Sequence, residues 1–336
     1  MRLYFAPLEG FTDAVYRQTH HRVFPGADKY FMPFVSPSAS LSFTGRERFD
    51  LDPRNNAGIP AVPQILACNA DYFLGTAALL RDAGYPEVNL NLGCPSGTVT
   101  AKGKGAGFLK NPDALARFLD AVFARAPLPV SVKTRIGFAS PEEWPRLRDI
   151  LLQYPMQEII VHPRTGREHY AGRPHTEILE DLLARAPFPV IYNGNVFTLA
   201  QAREIQAAFP RLSGLMLGRG VTANPALIRE IRGGRGIGRE TLLAFHDQLY
   251  RAYLRTWPET AVIGRMHAIM GYMSFCLGNP AKPLKALCRA TRPDDYQDAL
   301  RRLMDERELA HPPLFIPPGE TRESAAAPLL APAPGH

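Results

Sequence analysis

Short β-rich runs recur eight times along the first two thirds of the chain, and segments of helical length separate most of them. In order, the runs are RLYFAPL, KYFMPFVS, AVPQILA, EVNLNLGC, PVSVKTRIG, EIIVHPRT, PVIYNGN and GLMLGRG. Segments between them, such as PDALARFLDAVFARA and TLAQAREIQAAF, carry apolar residues three and four apart, which is the helical spacing. Eightfold strand–helix alternation predicts an α/β fold of the (β/α)₈ TIM-barrel type.

A doubly wound open sheet is the alternative α/β architecture. That fold expects a Gly-x-Gly-x-x-Gly turn after its first strand, whereas the first run here is followed by the turn PLEG. Helix starts also agree with the barrel pattern, because Asn111 and Ser140 each precede a proline, as capping residues do. The barrel is therefore the predicted fold.

The pattern changes after residue 238, where helical periodicity continues without strands. The stretches ETLLAFHDQLYRAYLRTW and AVIGRMHAIMGYMSFCLG, followed by two shorter ones, predict a small C-terminal helical domain. The segment GGRGIG links it to the barrel, and the last residues are rich in Pro and Ala and poor in large apolar residues. We therefore expect a barrel over 1–235, a helical domain over 240–310 and a disordered tail over 317–336.

Charge and cysteine content restrict the partner and the compartment. The chain carries 39 basic and 32 acidic residues, a net charge of +7, which favours a polyanionic partner. Its four cysteines have neither CxxC nor CxxH spacing and are too few for a disulfide framework, so we expect no metal and a reducing, cytoplasmic location. No run of eighteen apolar residues exists, so we expect no membrane span.

Polar residues follow the apolar part of six consecutive strand runs. In a TIM barrel the active site lies at these carboxyl ends, so the side chains are expected to meet at one mouth. A single polar strand end is more often structural, but six together indicate a site. The residues are Gln64, Asn91, Cys94, Lys133, Arg135, His162, Arg164, Asn193, Asn195, Gly218 and Arg219.

Glycine-containing turns end the last two strand runs, at 193–195 and 218–220. Glycines let backbone N–H groups approach an anion, and a helix predicted to begin at Thr222, with Pro225 in its first turn, would present its positive end. In barrels this is the common phosphate position. We therefore expect a ligand that carries a phosphate and whose body extends toward Lys133 and Cys94. The alternative is that these segments are ordinary tight turns that bind no ligand.

Together these motifs resemble those of the tRNA-dihydrouridine synthase family of bacterial type. The resemblance covers residues 1–232, the helical domain matches more loosely, and the most specific element is Cys94 with its Gly- and Lys-rich loop. Leu8, Pro163 and Asn195 stand where Met, Gly and Asp are usual in the family. The matching motifs are APLEG followed by Thr12 and Asp13, NLNLGCPSGTVTAKGKGAG, VKTR, HPRT, NGN and the pair Gly218-Arg219.

Membership would imply FMN at the top of the barrel, NADPH or NADH as reductant, and reduction of the C5=C6 bond of a uridine in tRNA. Matched by motif, the flavin ring would be lined by Pro7, Leu8 and Glu9 and contacted at its polar edge by Gln64, Lys133 and His162. Its phosphate would be held by Asn193, Gly194, Asn195, Gly218 and Arg219. Cys94 would be the catalytic acid, and the substrate-binding residues would include Asn91, Arg135 and Arg164.

A thiol and a basic loop fit this reaction. Reduced flavin supplies a hydride to C6, and a thiol, mostly protonated at neutral pH, can give the proton to C5. A uridine within folded tRNA must be extruded to reach a flavin, so we expect a mobile loop carrying Lys102 and Lys104 to close over it. The alternatives are an inert buried cysteine and a solvated charged loop.

The stretch AKPLKALCRATR contains four basic residues and no acid. Their spacing of three, four and three predicts one face of a single helix. We expect that face to follow the tRNA backbone, the alternative being a solvated face. The four residues are Lys282, Lys285, Arg289 and Arg292.

Two other functions compete with this one. An FMN barrel acting on a free pyrimidine, such as a dihydroorotate dehydrogenase, could also place a cysteine over the flavin, but it would not need the helical domain or the positive charge. A flavin-free RNA-binding protein on a relic barrel would give a colourless preparation. We expect the tRNA enzyme, acting as a monomer.

Overall fold

Two compact units make up the chain, whose computed structural model describes residues 1–278, 280–305 and 307–330. The first unit comprises Met1–Glu9, Asp28–Gly194 and Gln206–Met216, and the second comprises Gly10–Ala27, Asn195–Ile205 and Leu217–His336. This division by compactness differs from the domain boundaries expected from the sequence, which stay a prediction.

The first unit carries a parallel sheet that is nearly closed into a barrel. Neighbouring strands follow the order β3-β2-β1-β9-β8-β7-β6-β5-β4, which confirms the predicted TIM-barrel fold class. The strands are β1 Arg2–Phe5, β2 Lys29–Phe31, β3 Ala61–Val62, β4 Gln64–Ile65, β5 Val88–Leu92, β6 Val130–Arg135, β7 Ile159–His162, β8 Val190–Tyr192 and β9 Gly214–Leu217.

The third β-rich run forms two strands instead of one. Pro63 lies between β3 and β4 and has no N–H to donate to a neighbouring strand. The second run continues the pairing on both sides of it. Met32 N–H donates to the Val62 carbonyl and Val35 N–H to the Gln64 carbonyl, both at 2.9 Å. The eight predicted runs thus form nine strands among the described residues, in the predicted order.

Apolar side chains form one buried cluster of the barrel. Successive residues of a strand point to opposite faces, so alternate positions of several strands contribute to the same cluster. With its interior filled, the barrel leaves its strand ends as the places where polar side chains can gather. The cluster consists of Tyr4, Ala6, Phe31, Val62, Ile160, Ile191 and Met216.

Helices follow most of the strands, and none in the described part of the chain is long and apolar enough to cross a membrane. Asn111 accepts from Ala114 N–H at 3.1 Å and caps α5, and Ser140 with Glu143 forms a capping box ahead of α6, as the sequence predicts. The helices are α1 Ala14–Val23, α2 Gly45–Leu51, α3 Ala70–Asp82, α4 Gly97–Thr100, α5 Pro112–Arg125, α6 Trp144–Leu151, α7 Ile178–Arg185, α8 Leu199–Ala208, α9 Arg219–Ala223, α10 Leu227–Ile231, α11 Arg239–Leu254, α12 Glu259–Met273, α13 Ala281–Leu287, α14 Pro293–Asp305 and α15 Arg322–Ala326.

The helix expected to begin at Thr222 begins three residues earlier. Thr222 lies inside α9, where its hydroxyl donates to the Arg219 carbonyl at 3.0 Å. A hydroxyl used in this way does not cap the amides ahead of it, so the expected start was wrong. Pro225 lies in the turn between α9 and α10, where the Asn224 side chain accepts from Ala226 N–H at 3.2 Å.

The second unit packs α1 against α11 through aromatic side chains. The ring centroid of Phe245 lies 5.8 Å from that of Tyr16, 6.2 Å from His20 and 5.2 Å from Phe24. Burial lowers the pKa of His20 to about 3, so its ring is neutral, and Nε2 donates to the Pro225 carbonyl at 2.9 Å. Stacked apolar surface and one satisfied polar group hold this part of the unit.

The basic stretch does not form a single helix, and that expectation was wrong. Lys282 and Lys285 lie on α13, which ends at Leu287, whereas Arg289 and Arg292 lie in the turn before α14. Proline disfavours a helical conformation in the residue that precedes it, and Pro293 opens α14. All four basic side chains are exposed.

The segment expected to be a disordered tail contains α15 within its described residues, 317–330. Ala325 and Leu329 are buried, which differs from the expectation. A few apolar side chains are enough to keep this segment packed, because hydrogen bonds also hold its backbone. Leu329 N–H and Leu330 N–H donate to the Glu204 carboxylate at 2.8 and 2.9 Å. Residues 331–336 lie outside the described residues.

Candidate active site

Cys94 follows β5, and the side chain of Asn91 fixes the turn that carries it. Asn91 Oδ1 accepts from Gly93 N–H at 3.0 Å and from Cys94 N–H at 2.9 Å. Its Nδ2 donates to Gln64 Oε1 at 2.7 Å. Because Asn91 is buried and bonded in both directions, the Cα of Cys94 is held in one position relative to β4 and β5.

A chain of amides continues from Asn91 below the strand ends. Gln64 Nε2 donates to Asn89 Oδ1 at 2.8 Å, and Asn89 Nδ2 donates to Ser131 Oγ at 2.8 Å. Asn89 and Ser131 were missed by the sequence analysis. The signal was present, since two asparagines two residues apart in the buried run VNLNL must lie on the same face of the strand.

Arg135 supports the same turn from the neighbouring strand. Its Nε donates to the Gly93 carbonyl at 2.9 Å and its Nη1 to the Thr165 carbonyl at 2.7 Å. The guanidinium lies 5.4 Å from the ring centroid of Tyr170, and the residue is 1% exposed. Arg135 was expected to bind substrate, which stays a prediction; in the structure its Nε and Nη1 donate to backbone carbonyls.

Arg164 is fully buried beside His162 and fixes the state of that ring. Its Nε donates to the Ala171 carbonyl at 3.0 Å, and its Nη1 lies 3.0 Å from His162 Nε2. A guanidinium only donates, so Nε2 accepts and the proton of the neutral imidazole is on Nδ1. Arg164 was also expected to bind substrate, which stays a prediction; in the structure its guanidinium contacts His162 and the Ala171 carbonyl.

Two titratable groups at the strand ends have altered proton affinities. Burial raises the pKa of the Cys94 thiol, and the Ser96 N–H and the cations of Lys133 and Arg135 offset this only in part. Burial and the neighbouring Arg135 lower the pKa of Lys133 to about 7. At neutral pH the thiol keeps its proton, and the amine is divided between its charged and neutral forms.

The loop behind Cys94 is folded, which differs from the mobile loop expected from its composition. Ala106 N–H donates to the Cys94 carbonyl at 3.0 Å, and Lys104 Nζ donates to Ser36 Oγ at 2.8 Å. A Cβ on Gly107 would lie 2.6 Å from the Thr100 carbonyl oxygen. The glycines therefore allow close packing, and Lys102 remains exposed on the loop.

Polar groups also follow β8 within the first unit. Asn193 Nδ2 donates to the Met216 carbonyl of β9 at 2.8 Å. A Cβ on Gly194 would overlap the ring and hydroxyl of the buried Tyr192, so glycine lets this turn pack against that side chain without displacing it. After β1, Pro7 and Leu8 are half-buried and Glu9 is exposed.

In the second unit, Arg219 directs its guanidinium toward the turn after Gly194. Arg219 Nη2 donates to Asn195 Oδ1 at 2.8 Å. The guanidinium carbon lies 5.6 Å from the ring centroid of Phe197 and 5.2 Å from that of Phe315. Gly218 precedes α9 and presents no side chain there. The arrangement is a half-buried cation held by an amide and two aromatic rings.

The described residues contain no group of three His, Cys, Asp or Glu side chains that could hold a metal ion. What the strand ends offer is different chemistry: one protonated thiol, one amine that titrates near neutrality, one neutral histidine and several fixed amides. Such groups can bind a polar planar ligand and transfer a proton to it.

A family model and two named proteins show what this chain is similar to. Residues 4–262 match the family model described as dihydrouridine synthase. The tRNA-dihydrouridine(16) synthase of Aquipseudomonas alcaligenes is 31% identical over 246 residues, with 70% of this chain and 76% of the relative covered. A probable tRNA-dihydrouridine synthase of Staphylococcus aureus (strain COL) is 31% identical over 263 residues, with coverage of 74% and 77%.

Solved structures with the same barrel are much more distant in sequence. The old yellow enzyme from Trypanosoma cruzi superposes with a TM-score of 0.51 at 10% identity, over 76% of this chain and 94% of that one. This likeness shows the fold alone. The family match, together with relatives above 30% identity, confirms the resemblance seen in the motifs. The chain therefore belongs to the dihydrouridine synthase family.

Proposed function

We propose that this protein is an FMN-dependent tRNA-dihydrouridine synthase, which uses NADPH or NADH to reduce the C5=C6 bond of a uridine in tRNA to 5,6-dihydrouridine. The observation that carries the proposal is the construction of the turn after β5. Asn91 and Arg135 hold the backbone around Gly93, so that the thiol of Cys94, with its raised pKa, stands at a fixed strand end. Family membership and the names of the tRNA-acting relatives support the same substrate.

The residues at the strand ends fit the ring of a flavin. We assign its polar edge to Gln64, Lys133 and His162, because each offers a donor in a fixed place. Pro7, Leu8 and Glu9 follow β1, and we assign them to the ring as well. Lys133 suits an edge that gains negative charge on reduction, since its own pKa of about 7 leaves a proton available.

The phosphate of FMN is assigned to the residues that follow β8 and β9 directly along the chain. Arg219 is the cation among them, and Asn195 orients it. Guanidinium and amide donors with adjacent glycines suit a phosphate oxygen. The set is Asn193, Gly194, Asn195, Gly218 and Arg219.

Cys94 is assigned the proton transfer. When bound and reduced, FMN supplies a hydride to C6 of the uracil. Cys94 gives its thiol proton to C5, so the π bond is replaced by two C–H bonds and a thiolate remains on Cys94. Because its pKa is raised, the thiol is protonated before the transfer, and the thiolate formed by the transfer readily takes up a proton from solvent.

The contacts with tRNA are assigned to cations of the loop behind Cys94 and of the stretch around α13, and to Asn91 beside the base. Lys102 and Lys104 stand on the loop behind Cys94, where an extruded uridine would bring its neighbouring phosphates. Arg135 and Arg164 act by positioning Cys94 and His162. The remaining phosphate contacts are assigned to Lys282, Lys285, Arg289 and Arg292, and the reaction to the cytoplasm, where tRNA is the substrate.

A nucleoside assay tests the proposal. Purified protein with FMN and NADPH is incubated with tRNA from a strain lacking the corresponding gene, and the nucleosides are analysed by mass spectrometry. Dihydrouridine at a defined position is the expected product. Cys94→Ala should greatly reduce its formation, and Cys288→Ala, at an exposed cysteine of the second unit, is the matched control.

The same preparation separates the competing functions. An enzyme for a free pyrimidine would oxidise NADPH with uracil or orotate and leave tRNA unchanged. A flavin-free RNA-binding protein would bind tRNA, remain colourless and take up no added FMN. Either result would refute the proposal.

A further inference from the structure

The chain after α14 returns to the neighbourhood of Arg219. We call residues 310–330 the C-terminal strap. Ala310 N–H donates to the Cys276 carbonyl at 2.7 Å at its start. Further along, the strap contributes to a buried apolar cluster of the second unit, and it lies outside residues 4–262, which the family model covers. The cluster consists of Phe197, Ala223, Phe275, Leu314, Phe315 and Ala325.

Side chains of α8 fasten the far end of the strap. Gln201, which is 2% exposed, donates from Nε2 to the carbonyls of Ala325 and Ala327 at 2.9 and 3.0 Å. Its Oε1 accepts from Phe197 N–H at 2.9 Å. One buried amide thus ties the strap to the backbone of Phe197, one of the two rings beside Arg219.

The strap supplies the other ring. The centroid of Phe315 lies 5.2 Å from the guanidinium carbon of Arg219, nearer than the 5.6 Å of Phe197. Tyr272 and Phe275 pack against Phe315, with centroid separations of 5.6 and 5.1 Å. Phe315 is therefore held by two further aromatic rings, and the guanidinium of Arg219 lies over its ring.

An arginine side chain in solution samples many rotamers. Ordering such a side chain opposes ligand binding, and a guanidinium already held by aromatic faces avoids much of that cost. Asn195 Oδ1 accepts from Nη2 of Arg219, and the ring centroids of Phe197 and Phe315 lie 5.6 and 5.2 Å from its guanidinium carbon. A guanidinium carries five N–H donors in a planar fork, a geometry that suits a phosphate ester.

We propose that the C-terminal strap is a positioning element for phosphate recognition, in which Phe315 holds the guanidinium of Arg219 in the orientation that binds the phosphate monoester of FMN. This inference rests on the proposed function. It makes Phe315 a determinant of the preference for FMN over riboflavin, which has the same ring and no phosphate.

The test compares two ligands in apo-protein by flavin fluorescence quenching. Phe315→Leu and Phe315→Met keep most of the volume and remove the aromatic face. FMN should bind roughly tenfold more weakly to both variants, a size typical of a partly buried cation–π contact, while riboflavin affinity stays unchanged. Leu314→Ala, in the same cluster, is the control for loosened packing and should affect the two flavins equally.

A double-mutant cycle gives a second measurement. In an Arg219→Gln background, Phe315→Leu should cause no further loss of FMN affinity, because the cation that it holds is gone. Equal weakening of FMN and riboflavin, unchanged FMN affinity, or an additive cycle would overturn the inference. Wild-type protein that binds neither flavin would instead overturn the proposed function, and the role of the strap with it.

Discussion

At the scale of single residues, Cys94 offers the sharpest test of the chemistry. Cys94→Ala should retain FMN and still consume NADPH, while dihydrouridine formation in a single turnover falls by about 10²–10⁴-fold, the usual contribution of a general acid. Asn91 and Arg135 fix the backbone and not the thiol, so the flavin site should survive the substitution. Dihydrouridine formation at the wild-type rate would show that Cys94 is not the acid.

Lys133 gives a pH dependence with a definite sign. Its pKa of about 7 lies well below the ordinary lysine value near 10.4, so the ammonium loses its proton as the pH rises through neutrality. FMN affinity should therefore decrease between about pH 7 and 9, by at most tenfold per pH unit for one coupled proton. Titration calorimetry of apo-protein measures it.

Lys133→Gln is the control for that pH dependence. The variant should bind FMN more weakly at pH 7 and show a nearly flat profile above it, where the phosphate is fully ionised. A wild-type profile in the variant would assign the proton to another group.

At the scale of elements, the glycines of the loop behind Cys94 should differ in their tolerance of a methyl group. Gly107→Ala places a Cβ 2.6 Å from the backbone oxygen of Thr100, and overpacking of this kind costs about 1–3 kcal/mol. Urea unfolding should report that loss, and displacement of the turn should slow dihydrouridine formation. Gly97→Ala, with nothing within 4 Å of the new atom, is the matched control and should change neither.

The basic residues around α13 give a prediction about tRNA. Replacing all four with Gln should weaken tRNA binding and reduce the slope of log K against log salt by about three, because each phosphate contact contributes ~0.7–0.9. NADPH oxidation by bound FMN should not change. Arg301→Gln with Arg302→Gln, on exposed positions of α14, is the control. An unchanged slope in the four-residue variant would make the stretch a solvated face.

At the scale of the whole molecule, periodicity was enough to predict the order of the strands, because alternation of apolar runs reflects burial that any barrel requires. Periodicity could not predict the break between β3 and β4 at Pro63. The absence of an N–H on proline affects strand pairing only where a neighbouring strand would accept that hydrogen bond, and the neighbours are not known from the sequence. The backbone contacts of Arg135 and Arg164 could not be predicted for the same reason. Both arginines donate to backbone carbonyls of other segments. Every residue has such a carbonyl, so the sequence does not indicate which one will accept the hydrogen bond.

The position of the strap along the chain has a consequence for biosynthesis. Arg219 leaves the ribosome about 100 residues, or roughly 5–20 seconds, before Phe315 does at ordinary elongation rates. The barrel strands can pair during that interval, whereas under the proposed role of the strap the phosphate end of the flavin site is completed only after Phe315 has emerged. Uptake of FMN at full affinity is thereby delayed until then, and a product that terminates before Phe315 would bind FMN more weakly.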